Sequence, residues 1–306
     1  MHDKAKKRRI RYGMLGASAM TLLLSGCGPQ YMVLDPVGPV GREELHLIIL
    51  SVILTGIVII PVLALLVFIV WRYRDKPGNR APYLPKWSES RVLEVIWWGI
   101  PIVIIGILGY FTGKTTFALV QPPENNIAPI TIEVTSLDWK WLFQYPDQKI
   151  ATVNYAVIPT GVPINFVLTS DAPMNSFWVP QLGGQEYTMP GMAMRLWLQA
   201  NQSGTYYGHG ANFTGRGFAH MNFNVVAKPA TQFYGWVQRV KSTSHPLTRA
   251  IYAQLKIPSV IGTTQYSSIP PNLFNGTVWA DGGKYMPGML PAQGMGSRSM
   301  KHDSTQ

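Results

Sequence analysis

Leu45–Trp71 reads LHLIILSVILTGIVIIPVLALLVFIVW, 27 residues without a formal charge. Crossing the hydrocarbon core takes roughly 20 apolar residues as a helix. A second stretch, Val95–Phe111 (VIWWGIPIVIIGILGYF), supplies 17 more, with Glu94 at its edge. Each contains one proline, Pro61 or Pro101, a residue that spanning helices tolerate better than soluble ones. The pair predicts a two-helix membrane hairpin over 45–111.

The connection, residues 72–91, sets the orientation. It holds Arg72, Arg74, Lys76, Arg80, Lys86 and Arg91 against Asp75 and Glu89. Basic loops stay in the cytoplasm, so both flanks of the hairpin are expected outside. That charge has a topological cause and is interrupted by acids, so no nucleic-acid partner is expected.

Upstream lies a basic head, Lys4 to Arg11, then a short apolar run, Met14 to Leu24, then Leu24-Ser25-Gly26-Cys27. This is the form of a secretory signal, too short to span. Small residues ahead of a cysteine resemble the bacterial lipobox. That resemblance implies lipidation of Cys27, a mature chain starting there and a short outer segment, 27–44. Arg8-Arg9 lies in an undifferentiated basic cluster and is a weak twin-arginine signal. Removing 1–26 takes away six Lys/Arg and one Asp and lowers the formal charge from +11 to +6. Cys27 is the only cysteine; once lipidated, it leaves no thiolate for a metal or a nucleophile.

Downstream the pattern changes to short runs rich in β-branched and aromatic residues, punctuated by Pro, Gly, Asn and Asp. They are Thr131–Thr135, Trp139–Tyr145, Thr152–Ile158, Ile164–Thr169, Ser176–Val179, Ala193–Leu198 and His220–Val226. Such spacing predicts an all-β sandwich or barrel over 115–228. Phe233–Val237 and Ile251–Leu255 read as short helices in an aromatic-rich extension, 229–280. From 281 to 306 Gly, Pro, Met and polar residues predict a disordered tail. Its Met286, Met289, Met295, Met300 and His302 are irregularly spaced, which favours plain disorder over soft-metal binding. Charged residues are 13% of the chain, about half the usual share, which argues against an ordinary soluble protein. No P-loop, paired-carboxylate or nucleophile-elbow motif is present.

Several stretches together resemble subunit II of the haem–copper respiratory oxidases, over nearly the whole chain. Leu93-Glu94-Val95-Ile96-Trp97-Trp98-Gly99-Ile100-Pro101 is similar to that family's second-helix motif. Asp138-Trp139-Lys140-Trp141 stands where it has an aromatic stretch containing Trp139 and Trp141. Ser176–Gly183 and Gly204–Gly208 resemble the strand and the lead into its copper loop. The implied fold is a cupredoxin, a Greek-key sandwich, behind the hairpin. In the cytochrome c oxidases of this family, two cysteines, two histidines, a methionine and a backbone carbonyl hold two coppers, a soft-ligand set. Here the histidine positions carry Asn175 and Phe218, the cysteine positions Gly210 and Thr214, and the carbonyl position Asn212; only Met221 remains. His209 and His220 lack the partners a zinc or copper site needs.

The resemblance therefore implies the copper-free branch, the quinol oxidases, and most nearly those of the cytochrome bo type. It implies no metal or cofactor in this chain, with haems, copper B and ubiquinol in a subunit I. Partners would be subunit I, other membrane subunits and lipid, and not cytochrome c. The expected location is the bacterial inner membrane, with the large domain in the periplasm. The chain would have no catalytic residue of its own in a proton-pumping complex. Glu94 would contribute to the mouth of a proton channel. An alternative from another class is a lipid-anchored copper carrier or sensor with a relic cupredoxin fold.

Overall fold

The computed structural model describes residues 32–82, 86, 88–123 and 127–285. Cys27 and the tail methionines lie outside them. After a 3-10 turn at Met32–Leu34, the hairpin comprises α1 (Pro39–Arg72) and α2 (Arg91–Leu119). Proline at the first helical turn needs no amide partner, and Gly38 is the extended residue before it. Ser90 caps α2, its hydroxyl accepting from the Leu93 amide at 3.5 Å. Side chains such as Ile60, Val67, Trp97, Trp98 and Ile105 stand exposed along both helices. Uncovered apolar surface of this extent needs lipid or other protein around it.

Both helices outrun their apolar segments. α1 is 34 residues, about 51 Å at 1.5 Å per residue. Its first turns leave the membrane zone and pack on the outer domain: Val37 and Val40 join the main core, the Gly41 amide donates to the Leu182 carbonyl at 3.1 Å, and the Val37 amide to Gln181 at 2.8 Å. A Cβ on Gly38 would lie 2.1 Å from the Gln199 carbonyl oxygen, so only glycine permits this approach. α2 continues past Phe111 to Leu119, and a domain boundary at 115 falls inside it. Neutral Thr and Gly residues there do not stop a helix already propagating.

The outer domain contains β1 (Ile130–Leu137), β2 (Lys140–Tyr145), β3 (Ile150–Val153), β4 (Tyr155–Pro159), β5 (Ile164–Ser170), β6 (Asn175–Trp178), β7 (Gln185–Thr188), β8 (Met192–Leu198), β9 (Gly204–Gly210) and β10 (Asn222–Lys228). The extension follows as α3 (Ala230–Thr243), α4 (Arg249–Leu255), β11 (Thr264–Tyr266), α5 (Leu273–Ala280) and β12 (Lys284–Tyr285). One sheet has the order β11-β3-β2-β1-β5-β8-β12, the other β4-β10-β9-β6-β7. Ile132, Val134, Trp141, Phe143, Phe166, Phe177 and Phe223 fill the space between them. This is the two-sheet sandwich that the cupredoxin resemblance implies.

Several strand limits differ from the sequence reading. The single run expected at 152–158 is broken at Asn154, which has φ 59° and exchanges two bonds with Trp141, both at 2.9 Å. The chain there leaves one sheet and enters the other. Trp139 lies in the β1–β2 hairpin turn with φ 62°, so β2 begins at Lys140. His220 belongs to a 3-10 turn, Phe218–His220, ahead of β10. β7 and β9 carry no alternating apolar signal: β7 is largely exposed and β9 is rich in glycine.

The extension covers the outer face of the larger sheet. Leu137, Leu142, Ala151 and Val153 pack against Leu247, Tyr252, Leu255 and Leu273. A polar clamp reinforces them. Lys140, fully buried, donates to the carbonyls of Asp138, Leu255 and Ile257 at 2.8–2.9 Å. Tyr252 donates to Asp171 at 2.7 Å, and Lys256 pairs with the same carboxylate at 2.8 Å. The expected tail at 281 is also corrected. Lys284 and Tyr285 pair in parallel with Met192 and Ala193, and the Tyr285 hydroxyl donates to Asn275 at 2.9 Å.

Candidate functional site: the loop between β9 and β10

Four of the six positions matched to copper ligands, Asn175, Gly210, Asn212 and Met221, come together at one end of the smaller sheet. Asn175 opens β6 and is fully buried. Its Nδ2 donates to Met221 Sδ at 3.0 Å. Its Oδ1 accepts from the Ser176 amide at 2.7 Å and the Asn212 amide at 3.3 Å. Ser176 Oγ donates to Asn212 Oδ1 at 3.1 Å, and the Gly210 amide donates to the Met221 carbonyl at 3.1 Å. Asn175, Gly210, Asn212 and Met221 thus form one hydrogen-bonded knot.

The knot has no room for a further side chain. A Cβ built on Gly210 would lie 2.8 Å from Asn175 Nδ2 and 2.9 Å from its Oδ1. The carboxamide fills the volume toward which residue 210 would project. A metal here would meet one thioether and neutral amides, and that donor set does not fit a two-copper or blue-copper centre, both of which need cysteine sulfur. Among the described residues there is no group of three His, Cys, Asp or Glu able to hold a metal ion.

Thr214 and Phe218 stand apart from the knot. Thr214 takes part through its carbonyl, which accepts from Trp139 Nε1 at 2.9 Å. The loop lies flat on that indole: a Cβ on Gly217 would come within 2.3 Å of Trp139 Cδ2. Phe218 makes an edge contact with Phe213 at 5.7 Å. Trp141 is buried beneath, donating to the Met221 carbonyl at 3.3 Å, with Phe177 and Phe223 edge-on at 5.4 and 5.5 Å. The two tryptophans therefore pack the loop against the core. His209 is engaged by the Gly210 carbonyl at 2.8 Å and by the rings of Trp178 and Tyr207. His220 is exposed on its turn.

Glu94 stands far off in the chain, exposed in the first turn of α2, its amide donating to the Ser90 carbonyl at 3.0 Å. A feature missed in the sequence is Lys140. A lysine inside an aromatic motif reads as a surface charge, yet burial lowers the pKa of this one while its three carbonyl partners satisfy its ammonium. Only the folded extension supplies two of them.

Residues 148–228 match the family described as cytochrome c oxidase subunit II, periplasmic domain. The chain is 45% identical over 265 residues to quinol oxidase subunit 2 of Bacillus cereus, covering 86% of this chain and 91% of that one. It is 42% identical over 288 residues to ubiquinol oxidase subunit 2 of Acetobacter aceti, covering 93% and 92%. It is 44% identical over 274 residues to cytochrome bo(3) ubiquinol oxidase subunit 2 of Pseudomonas putida, covering 88% and 86%.

Proposed function

This chain belongs to the quinol oxidase subunit 2 family, and from that premise we propose that it is the second subunit of a membrane complex that oxidises ubiquinol, reduces dioxygen to water and moves protons. Its own role is to build and brace the assembly. The quinol, haems and copper B belong to subunit I. The observation that carries this reading is the Asn175 carboxamide, bonded to Met221 and filling the space beside Gly210. A domain so filled has no centre to accept an electron from cytochrome c, which leaves quinol as the donor.

The lipidated Cys27 and the two helices would hold the chain in the bacterial inner membrane with the β-domain in the periplasm. Two spans already anchor it, and one acyl chain adds only marginal membrane affinity. Glu94 would gather protons where the basic loop meets α2. An acid at the edge of a span turns toward water or protein, because lipid penalises it.

A single preparation of the purified complex tests the reading. Oxygen uptake should follow added ubiquinol and not reduced cytochrome c, and the intact mass of this subunit should show loss of residues 1–26 with added acyl mass. Uptake driven by cytochrome c, with a near-infrared copper band, would overturn the donor assignment. A mature N-terminus elsewhere would overturn the lipidation. Glu94→Gln removes the charge and keeps the shape, so turnover should fall with haem content intact, and Glu94→Asp should be milder. Full turnover of Glu94→Gln across pH 6–8 would reduce Glu94 to a packing residue.

A further inference from the structure

A cavity of about 780 Å³ lies where the hairpin meets the outer domain. One wall is the first turns of α1, with Arg42, Glu43 and His46. Another is the end of α2 and the segment after it, with Leu119 and Gln121. Asn201, after β8, helps to close it from the domain side. This volume lies in the range of small-molecule sites. The position is distinctive. Here α1 and α2 pass from their apolar spans to the outer domain, the depth at which lipid headgroups lie.

The charges select among lipids. Arg42 and Glu43 are both exposed, and among the described lining residues they are the one formal cation and the one carboxylate, so their formal charges cancel. Glu43 makes a long contact with His46, 3.9 Å. A guanidinium is suited to a phosphate oxygen. A carboxylate beside it suits an ammonium and repels a second anion. The amides of Gln121 and Asn201 add neutral donors and acceptors. Toward the membrane the helices continue with exposed apolar side chains such as Ile49, Ile53 and Phe117, a surface for acyl chains.

We propose that this junction cavity is a binding site for a phospholipid bearing a primary ammonium headgroup, with Arg42 holding its phosphate and Glu43 its ammonium. The inference rests on the membrane-spanning reading of α1 and α2 and not on the identity of the electron donor. Its consequence is mechanical. A lipid seated there would fill the gap between the hairpin and the β-domain and fix their relative tilt.

The test uses the whole purified complex, exchanged into detergent with either phosphatidylethanolamine or phosphatidylglycerol, and native mass spectrometry to count retained lipid. Wild type should retain phosphatidylethanolamine about tenfold better than phosphatidylglycerol, a difference of about 1.4 kcal/mol. Arg42→Gln should lower retention of both. Glu43→Gln should erase the preference while leaving phosphatidylglycerol bound. Equal retention of the two lipids by wild type, or retention unaffected by Arg42→Gln, would overturn the proposal. Ubiquinol-driven oxygen uptake by the same samples reports separately on the oxidase reading, so the two can fail independently.

Discussion

At the residue scale, Asn175 organises the loop between β9 and β10. Its carboxamide bonds Met221, Ser176 and Asn212 at once and so ties β6, the β9–β10 loop and the start of β10 together. Because the amide occupies the volume beside Gly210, the two positions should be energetically coupled. Gly210→Ala alone should destabilise the outer domain by about 1–3 kcal/mol through overpacking. Asn175→Ala alone should cost a similar amount through buried groups left unpaired. The double variant should lose less than the sum, because each change relieves the other. Chemical denaturation of the four proteins checks this, and strict additivity would show that the carboxamide does not fill that space. The residues at the positions matched to ligands are legible in the sequence as identities. That the Asn175 carboxamide fills the space beside Gly210 is not, since Asn212 and Met221 reach it from 37 and 46 residues away.

At the scale of elements, β2 and β3 of the larger sheet are buried on both faces because α4, α5 and the segment before α4 cover what would be their outer face. Glu133 of β1 lies at the margin of that cover, lining a cavity with Gln144, Lys149 and Asn275. Burial first, then the nearby Asp147, pushes its carboxyl up to about 7; Tyr285 of β12 also faces it. The sign follows from proton linkage. The folded state holds this proton more tightly than the unfolded chain, so stability is greatest below the ordinary carboxylate pKa and is lost as pH rises through about 7. Glu133→Gln should therefore raise stability at pH 8, by up to ~3 kcal/mol, and change little at pH 4. Denaturation midpoints of the soluble outer domain at the two pH values measure it. An equal effect at both would locate the stabilisation in packing and not in the charge. The run Thr131–Thr135 announces a strand through its period of two. Its covered outer face does not show in that period, because the cover is contributed from more than a hundred residues downstream.

At the scale of the whole molecule, the hairpin and the sandwich are joined through the first turns of α1. Gly38 approaches the Gln199 carbonyl, Val37 and Val40 enter the main core, and the Glu44 carboxylate accepts from the Gly184 amide at 2.7 Å. Gly38→Ala would force α1 away from the domain, since backbone atoms on the far side cannot yield as a flexible side chain would. The expected result is poor assembly: less of this subunit co-purifying with haem-bearing partners, with membrane insertion of the hairpin unaffected. Normal recovery of the complex would show that the junction is compliant. These contacts join the first turns of α1 to the domain core through the backbone.

The sequence alone determined the two long apolar segments, the alternation of the inner strands and the absence of cysteine from the β-domain. Each of these rests on local composition or on residue identity, which a chain displays before it folds. Only the tertiary structure decided that Asn154 carries the chain from one sheet to the other. It likewise decided that Lys140 is buried against carbonyls of the extension, that order continues through Tyr285, and that α1 reaches into the domain core. These depend on partners distant in the chain. Burial and hydrogen bonding at such positions are set by what arrives opposite them, and a residue does not carry that information in its own neighbourhood.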